Sequence, residues 1–544
     1  MNFKRFKDPI YGYIEIDEKI ITQVIDTAPF QRLRDVIQTS YAPLYSSAVH
    51  NRFVHSLGVY HLGKLAAESF ILSLREKTEN LYGISDYKTT FELACLLHDV
   101  GHAPFSHTGE NFYLEKGDRI KLHEELIRLT NDPYLEKEIS DNSYKAAPHE
   151  LMSAIVSLNV FSTIIPDSMK SFFARCIIGY KYTLDMDIFK SCENCFIELL
   201  NSKIIDVDKL DYLLRDSYMT GFDSTSIDYE RLLKSICAVQ DKRGFLRICY
   251  NKAAVSVIEN VVYAHDAERK WIQNHPIVLY EANLIENAIN QVIHEILDKE
   301  TLTYNLLTEP GITTKEFGTV RLISDSDIVY LMKNLTNCPE TVEYYNRNSR
   351  KHPLWKTEAE FQAIFLGREK ELQIILDEFD TLRTYLRSLG LPFIINAEAL
   401  STIQEEITLL EDIVKTATGY ELERTEVTLI EKKRHLSCIL IFEQFSINAN
   451  IPFDFLIIYA NQFNSGFRKQ EFGNIEFVFP ELKKPCRFED VSNVLTSSKS
   501  RGEKFFFLYY TRKDEKRIKI TELIQNLLNF ATDIRNEELG NLLL

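Results

Sequence analysis

Apolar residues recur at three- and four-residue steps through FQRLRDVIQ, VYHLGKLAAESFILSLREK, FELACLLHDV, HELMSAIVSL, KSFFARCIIGY and VDKLDYLLRDSY, with polar residues between them. One apolar stripe per segment predicts amphipathic helices on a shared core, from about residue 18 to residue 300. Ahead of them, DPIYGYIEI alternates apolar and polar positions around Pro9 and Gly12, which predicts a small hairpin or extended arm. The pattern breaks between about 305 and 350, at Pro310-Gly311, Asn337 to Pro339 and NRNSRKH, as loops or a domain edge would break it. Helical spacing returns in EKELQIILDEFDTLRTYLRSLG, stopped by Gly390 and Pro392, and in AEALSTIQEEITLLEDIV. HLSCILIFEQF, FDFLIIYA, NIEFVFPEL and KFFFLYYTRK are rich in aromatic and branched residues and predict strands, before an amphipathic helix from about Lys519 to Leu544. The expected fold is mainly α. A helical core over 1–310, with its N-terminal arm and an insertion near 111–147, leads to a helical extension over 311–430 and a smaller C-terminal α+β region over 431–544.

A chain of 544 residues exceeds one ordinary core and predicts two to four folding units. Lys and Arg total 63 against 79 Asp and Glu, a net charge of −16, which argues against binding nucleic-acid backbone by bulk charge. Any polyphosphate site is therefore local. Stretches such as CILIF and FDFLIIY fall far short of the roughly 18 apolar residues that cross a bilayer, so no membrane partner is expected. Nine irregularly spaced cysteines and a charged start without a leader-like apolar stretch predict the reducing cytoplasm. Cys192 and Cys195 form one CxxC without a second pair and read as free thiols rather than a zinc site. The aromatic run Phe505 to Tyr510 reads as core before it reads as a base- or partner-binding surface.

Histidine changes the picture. Six of the 13, namely His50, His55, His61, His98, His102 and His107, crowd the interval that also holds Asp99. The apolar helix FELACLL delivers His98 and Asp99 to its end, where Gly101 and Pro104 turn the chain. An adjacent imidazole and carboxylate suit a borderline divalent metal if other helices complete the set. His55 is a candidate partner, and so is Asp208, which opens a helix also carrying Asp211, Tyr212, Arg215 and Asp216. A His-Asp dipeptide alone is more often structural, and His55 alone reads as a satisfied half-buried histidine, so it is the combination that points to chemistry.

Taken in order, FKDPIYGYIEI, VIDTAPFQRLRDVIQ, HNRFVHSLGVYHLGKLA, LLHDVGHAPFSHTGE, HELMS and VDKLDYLLRDSYMTG resemble the HD-domain phosphohydrolases over about residues 4 to 235. Within that family they resemble the deoxynucleoside triphosphate (dNTP) triphosphohydrolases. The resemblance implies that His55, His98, Asp99 and Asp208 bind a divalent metal ion: Mn, Fe, Mg, Ni or Zn. It implies that Arg52 aims its guanidinium at a phosphate, that His102 and His107 serve the scissile phosphate and the attacking or leaving oxygen, and that Glu110 orients them. His107 is the better candidate for general acid. Two HE dipeptides compete for the remaining catalytic histidine. His149 opens a clean apolar helix after Pro148, whereas His123 lies closer to the family's spacing.

Similarity places Lys209 on phosphate, Tyr212 and Gln38 about the sugar and Asp216 at the 3′-hydroxyl. Tyr212 reads equally as a core aromatic, and Asp211 and Asp216 as solvated helix charges. In VIENVVYAHDAERKWIQNHP, His265 stands where the family carries an arginine for the terminal phosphates, with Arg269 or Lys270 one turn onward as substitutes. Lys4, Arg5, Asp26, Gln31 and Arg34 lie where an activating nucleotide binds in the family, although Asp26 reads equally as a helix N-cap and Arg34 as a surface charge. The implied protein is a metal-dependent dNTP triphosphohydrolase, nucleotide-activated and assembled as a homo-oligomer, a dimer or tetramer. The alternatives are a phosphomonoesterase or phosphodiesterase on the same site, or a nucleotide-sensing, partner-binding protein with a vestigial one.

Overall fold

The computed structural model describes residues 2–75, 83–110, 118–141, 146–202, 205–222, 226–297, 304–335, 338–461, 475–482, 484–492, 504–513 and 518–542. The fold is mainly α. The chain divides into two compact units, Met1–Gln273 with Glu281–Thr341 and Ser465–Lys499, and Asn274–Tyr280 with Val342–Asn464 and Ser500–Leu544.

The first unit opens on an antiparallel hairpin, β1 (Phe3–Asp8) and β2 (Gly12–Asp17), with Asp8 opposite Gly12. Gly12 has φ of 79°, a left-handed conformation that explains the glycine. Helices α1 (Arg52–Arg75), α2 (Ile84–Leu97), α3 (His107–Glu110), α4 (Asp118–Thr130), α5 (Pro148–Val160), α6 (Lys170–Ile178), α7 (Ile188–Leu200) and α8 (Val207–Thr220) follow. The predicted helix over FQRLRDVIQ is α-helical only through Ala28–Gln31 and tightens to a 3-10 turn over Arg32–Asp35. Part of the insertion near 111–147 lies outside the described residues.

Helix α1 is buried on nearly every side and packs against α2 and α8. Gly58 permits the second contact: a Cβ there would stand 1.8 Å from Asp211 Oδ1. The all-helical reading to residue 300 is corrected by a hairpin, β3 (Ile236–Gln240) and β4 (Leu246–Asn251), before α9 (Val255–Glu268). Strand Glu476–Val478 of NIEFVFPEL pairs parallel with β4 and antiparallel with Cys486–Arg487, so it extends the first unit's sheet. A two-stranded ribbon is marginal alone, and later strands of the chain widen it.

The second unit contains β5 (His352–Pro353), α10 (Glu369–Ser388), β6 (Ile394–Asn396), α11 (Ala397–Val414), α12 (Tyr420–Ala449), β7 (Asp454–Asn461), β8 (Lys504–Tyr510) and α13 (Thr521–Leu542). Its sheet is antiparallel, ordered β5-β8-β7-β6. HLSCILIFEQF, predicted as a strand, is instead the middle of α12, and the expected boundary at 430 falls inside this helix. Its buried residues, Lys432, His435, Cys438, Ile439, Phe442, Phe445 and Ser446, keep helical spacing, which outweighs the segment's branched and aromatic composition. Phe505 to Tyr510 are all buried, and Trp355 donates Nε1–H to the Phe506 carbonyl at 2.9 Å. Both faces of β8 are covered, the usual reason for a continuous apolar run. Among the described residues no helix is long and apolar enough to cross a membrane.

Candidate metal centre and active site

The turn after α2 is built to hold its side chains still. The Val100 N–H returns to the Leu97 carbonyl and the His102 N–H to the Asp99 carbonyl. Gly101 donates its N–H to Ser153 Oγ of α5 at 2.9 Å, and a Cβ there would lie 2.3 Å from the Ser153 nitrogen. Buried Arg32 donates to the carbonyls of Val100 and His102 at 3.1 and 2.7 Å. Phe105 and Ser106 take φ of 58° and 52°, unusual for residues other than glycine. Asp325 holds the Phe105 N–H at 2.6 Å, and Ser106 accepts from Arg52 Nε at 2.9 Å.

Onto this turn α1 brings His55 and α8 brings Asp208. His55 Nε2 lies 3.0 Å from Asp208 Oδ1, 3.2 Å from His98 Nε2 and 3.5 Å from Asp99 Oδ2. His98 Nε2 lies 3.4 Å from Asp99 Oδ1 and 3.6 Å from Asp208 Oδ1. His55, His98 and Asp208 therefore turn donor atoms toward one point, with Asp99 beside the two imidazoles and also grouped with His102 and His149. Asp99 also accepts from Arg52 Nη1 at 2.8 Å, so this arginine is paired with a carboxylate at the centre's edge. On the far side of the His55 ring, Nδ1 donates to Asp211 Oδ2 at 2.7 Å, and Arg215 grips both Asp211 oxygens at 2.9 Å.

Charge gives a test of fit. The carboxylates of Asp8, Asp99, Asp211 and half-buried Asp208 outnumber the guanidiniums of Arg52 and Arg215 by two when His55 is neutral, as a metal ligand must be, and by one when it is protonated. Although burial disfavours an imidazolium, the bonds to Asp208 and Asp211 push His55 up to about 9. Against burial, Asp99 is held well below the usual carboxylate range by Arg52 and His98, and Asp208 by its bonds to His55 and His98. An anionic pocket offering two imidazole nitrogens and two carboxylates fits a borderline divalent metal.

A second cluster adjoins it. His102 Nε2 lies 3.2 Å from Asp99 Oδ1, and the His102 ring stacks on His149 with centroids 4.2 Å apart. Glu110 contacts His149 Nδ1 and stands 3.1 Å from His107 Nδ1 and 3.8 Å from His102 Nδ1. His149 thus sits within the cluster, while His123 lies on α4. Burial and Arg52 hold His102 neutral, well below its usual range, whereas Glu110 outweighs burial at His149 and pushes it up. Glu150, the other half of the HE dipeptide, bonds the Ala147 N–H at the start of α5 and the Asn201 side chain at 2.8 Å.

The remaining candidates are placed as follows. Asp206, not Asp208, caps α8, and Lys209 Nζ bonds Asp206 Oδ2 at 2.6 Å and the Ser202 carbonyl at 2.7 Å. Asp208, Tyr212 and Asp216 follow at four-residue steps, one above the other on α8. Asp211 and Asp216 are 0% and 2% exposed, so the solvated-charge alternative is corrected: both are held inside the unit by partners from other segments. Asp216 meets His50 Nε2 at 2.6 Å. It also faces Glu268 of α9, which accepts from Gln273 at 2.9 Å and Tyr41 at 3.3 Å. Burial pushes Asp216 up to about 7, and burial together with the facing Asp216 carboxyl raises Glu268 well above its usual range. Gln38 is buried, its N–H on the His50 carbonyl at 3.0 Å. His265 lies 3.8 Å from Asp266, Arg269 is half-buried, and Lys270 is exposed over the Trp271 ring.

Lys4 pairs with Asp26 at 3.8 Å, Arg5 with Glu15 at 2.7 Å and Arg34 with Gln31 at 2.7 Å, while the Arg34 guanidinium lies 3.6 Å over the Phe53 ring. Thr27, not Asp26, stands at the N-cap position. Cys192 and Cys195 are buried free thiols on α7.

Sequence reasoning missed Glu268, His50 as the partner of Asp216, and the tie of Asp8 and Tyr11 to Arg215 and Asp211. The i to i+4 pair Asp211 and Arg215 was a readable signal, whereas nothing local marks Glu268 as buried.

Residues 52–164 match the model of the HD domain, so the chain carries an HD domain, the module of a metal-dependent phosphohydrolase superfamily. Among relatives, the uncharacterized protein MG461 of Mycoplasma genitalium is 31% identical over 260 residues, 47% of this chain and 52% of that one. Human deoxynucleoside triphosphate triphosphohydrolase SAMHD1 is 28% identical over 304 residues, 53% of this chain and 43% of that protein. The chain thus spans about half the length of these curated relatives. A hypothetical protein from Aquifex aeolicus, 19% identical, shares the fold with a TM-score of 0.51, covering 97% of this chain and all of that one. These comparisons show the likeness to the HD-domain family that includes the dNTP triphosphohydrolases.

Proposed function

We propose that this protein is a metal-dependent triphosphohydrolase that cleaves a dNTP to a deoxynucleoside and inorganic triphosphate. The observation that carries the reading is the convergence of His55, His98 and Asp208, with contacts of 3.0 to 3.6 Å, flanked by Asp99 and by the cluster of His102, His107, Glu110 and His149. The four would hold a divalent ion, Mn, Fe, Mg, Ni or Zn, which supplies Lewis acidity to a phosphoryl oxygen and to the attacking water.

The chain's own groups do the rest. Arg52, and His149 when it carries its second proton, offset charge developing on the phosphate oxygens. His107, its side chain 66% exposed and backed by Glu110, protonates the leaving oxygen. Neutral His102 accepts a hydrogen bond or proton beside Asp99. Lys209 lies one residue from Asp208 and would swing from Asp206 onto phosphate. Tyr212, Gln38 and Asp216 would enclose the sugar, and a close fit there excludes a ribose 2′-hydroxyl. Lys4, Arg5, Asp26, Gln31 and Arg34 would take an activating nucleotide in a dimer or tetramer, and the cytoplasm is the fitting compartment.

One observation favours a second reading. Where the family carries an arginine for terminal phosphates, α9 presents His265 beside Asp266, and no guanidinium stands at that position. A phosphomonoesterase or phosphodiesterase on the same centre needs no such clamp.

Anion-exchange analysis of products separates the two. Incubation with Mn or Mg and each dNTP and NTP, singly and in mixtures, is expected to release triphosphate and deoxynucleoside, with loss of turnover in Asp99→Ala. Release of phosphate alone, or of monophosphate with pyrophosphate, overturns the main reading in favour of the second.

A further inference from the structure

The N-terminal hairpin reaches the centre from 200 residues away in sequence. Its turn closes on Asp8, whose Oδ1 accepts the N–H groups of Ile10 and Tyr11 at 2.8 and 3.1 Å. Oδ2 of the same carboxylate takes Arg215 Nη1 at 3.0 Å. The Tyr11 hydroxyl donates to Asp211 Oδ1 at 2.6 Å. Its ring packs edge-on against Tyr229 at 5.4 Å and beside His61 at 5.1 Å. Asp211 therefore accepts from four donors, namely Tyr11, both Arg215 nitrogens and His55 Nδ1, and has almost no freedom to rotate. The close approach of α1 and α8 that this geometry requires exists only because residue 58 is glycine.

We propose that the hairpin turn is a working part of the metal centre. Tyr11 and Asp8 are positioning residues: they lock Asp211 and Arg215 so that the His55 proton stays on Nδ1 and the Nε2 lone pair faces the cation. The inference rests on the metal reading of the His55, His98, Asp99 and Asp208 set. A carboxylate on the distal nitrogen of a ligating histidine fixes its tautomer and orientation, and losing such a partner typically costs about 10- to 100-fold in metal affinity. Here that partner is itself held by a segment that supplies no ligand.

The test is Mn(II) binding to the metal-stripped full chain, read from the EPR signal of free Mn(II). Wild type, Tyr11→Phe, Asp8→Asn and Tyr229→Phe are compared, with the melting temperature of each metal-free protein measured alongside. Tyr11→Phe keeps the ring and its packing and loses one hydrogen bond, so the metal-free protein stays folded and melts a few degrees lower at most, yet Mn(II) binding weakens about tenfold or more. Asp8→Asn weakens binding in the same direction. Tyr229→Phe, which touches the same ring without bonding Asp211, binds Mn(II) as wild type does. Wild-type affinity in Tyr11→Phe overturns the proposal while leaving the metal centre standing. Equal weakening in Tyr229→Phe also overturns it, by making the effect one of packing. A wild-type protein that takes up none of Mn, Fe, Mg, Ni or Zn removes the metal reading itself and this inference with it.

Discussion

The two units bury different things. The first encloses His55, Asp99, Asp211, Arg215 and Asp216 at 5% exposure or less, each satisfied by another charged or polar group. The second fills its interior with Trp355, Phe361, Phe379, Phe442 and Phe505 to Tyr510. Aromatic burial stabilises a fold directly, at about 25 cal/mol per Å² of apolar surface removed from water. Buried charge costs desolvation, which pairing only partly returns. A chain that places histidines, aspartates and arginines at the middle of its most buried helices gives up stability there for chemistry. The second unit has one comparable feature, His435 bonded to Glu378 at 2.6 Å and stacked on Tyr385, but no histidine, carboxylate or cysteine there joins a metal-competent cluster among the described residues.

The contrast can be broken by mutation. The largest loss of stability is expected from Phe506→Ala, which empties a site shared with Trp355, Phe361 and Phe379. Urea unfolding should show about 3–5 kcal/mol less stability. A cost below about 1 kcal/mol would mean that the aromatic core is not the second unit's support. Arg215→Ala should cost a comparable or slightly smaller amount, about 3–5 kcal/mol, because it strands Asp211 and Asp8 without their cation. Unlike Phe506→Ala, its destabilisation should shrink at low pH, where protonation neutralises the two stranded carboxylates. Denaturation at pH 4.5 and pH 7.5 distinguishes the two, and an Arg215→Ala cost independent of pH would contradict the electrostatic account.

How legible each unit was in the sequence follows from the same difference. His98, Asp99 and His102 could be singled out because histidine and aspartate beside an apolar helix are chemically conspicuous, and the helix and its Gly101 turn are local features. Asp208 needed the ordered motif, because nothing in VDKLDYLLRD alone separates a metal-facing carboxylate from a solvated one. Glu268 was invisible: its burial depends on Tyr41, Gln273 and Asp216 meeting it from elsewhere in the unit. The fold failed to be legible where composition and spacing disagreed, as in HLSCILIFEQF, whose branched and aromatic residues suggested a strand while its apolar positions kept helical period. Long-range pairing was illegible altogether, and the parallel match of Phe477 with Tyr250 could not be read from either segment.

The smallest expected effect sharpens the comparison most, because it isolates one buried proton. Asp216 faces Glu268 and His50 and lies within reach of Arg52, His55 and Asp211. Burial pushes its carboxyl up to about 7 in the folded protein, from 3.8 for the ordinary group. Between those values the folded chain binds a proton that the unfolded chain has released. Stability contributed by this group is therefore complete below about pH 4 and declines as pH rises through 7. From pH 6 to pH 8 the decline is about 1.4 kcal/mol for this group. Asp216→Asn keeps the acceptor for His50 and cannot ionise, so its stability should fall less over that interval and its advantage over wild type should vanish toward pH 4. Urea midpoints at pH 4, 6 and 8 measure the difference. Parallel pH profiles for wild type and variant would mean that Asp216 is already ionised at neutrality, and that α8 bears a full negative charge where the sugar is proposed to bind.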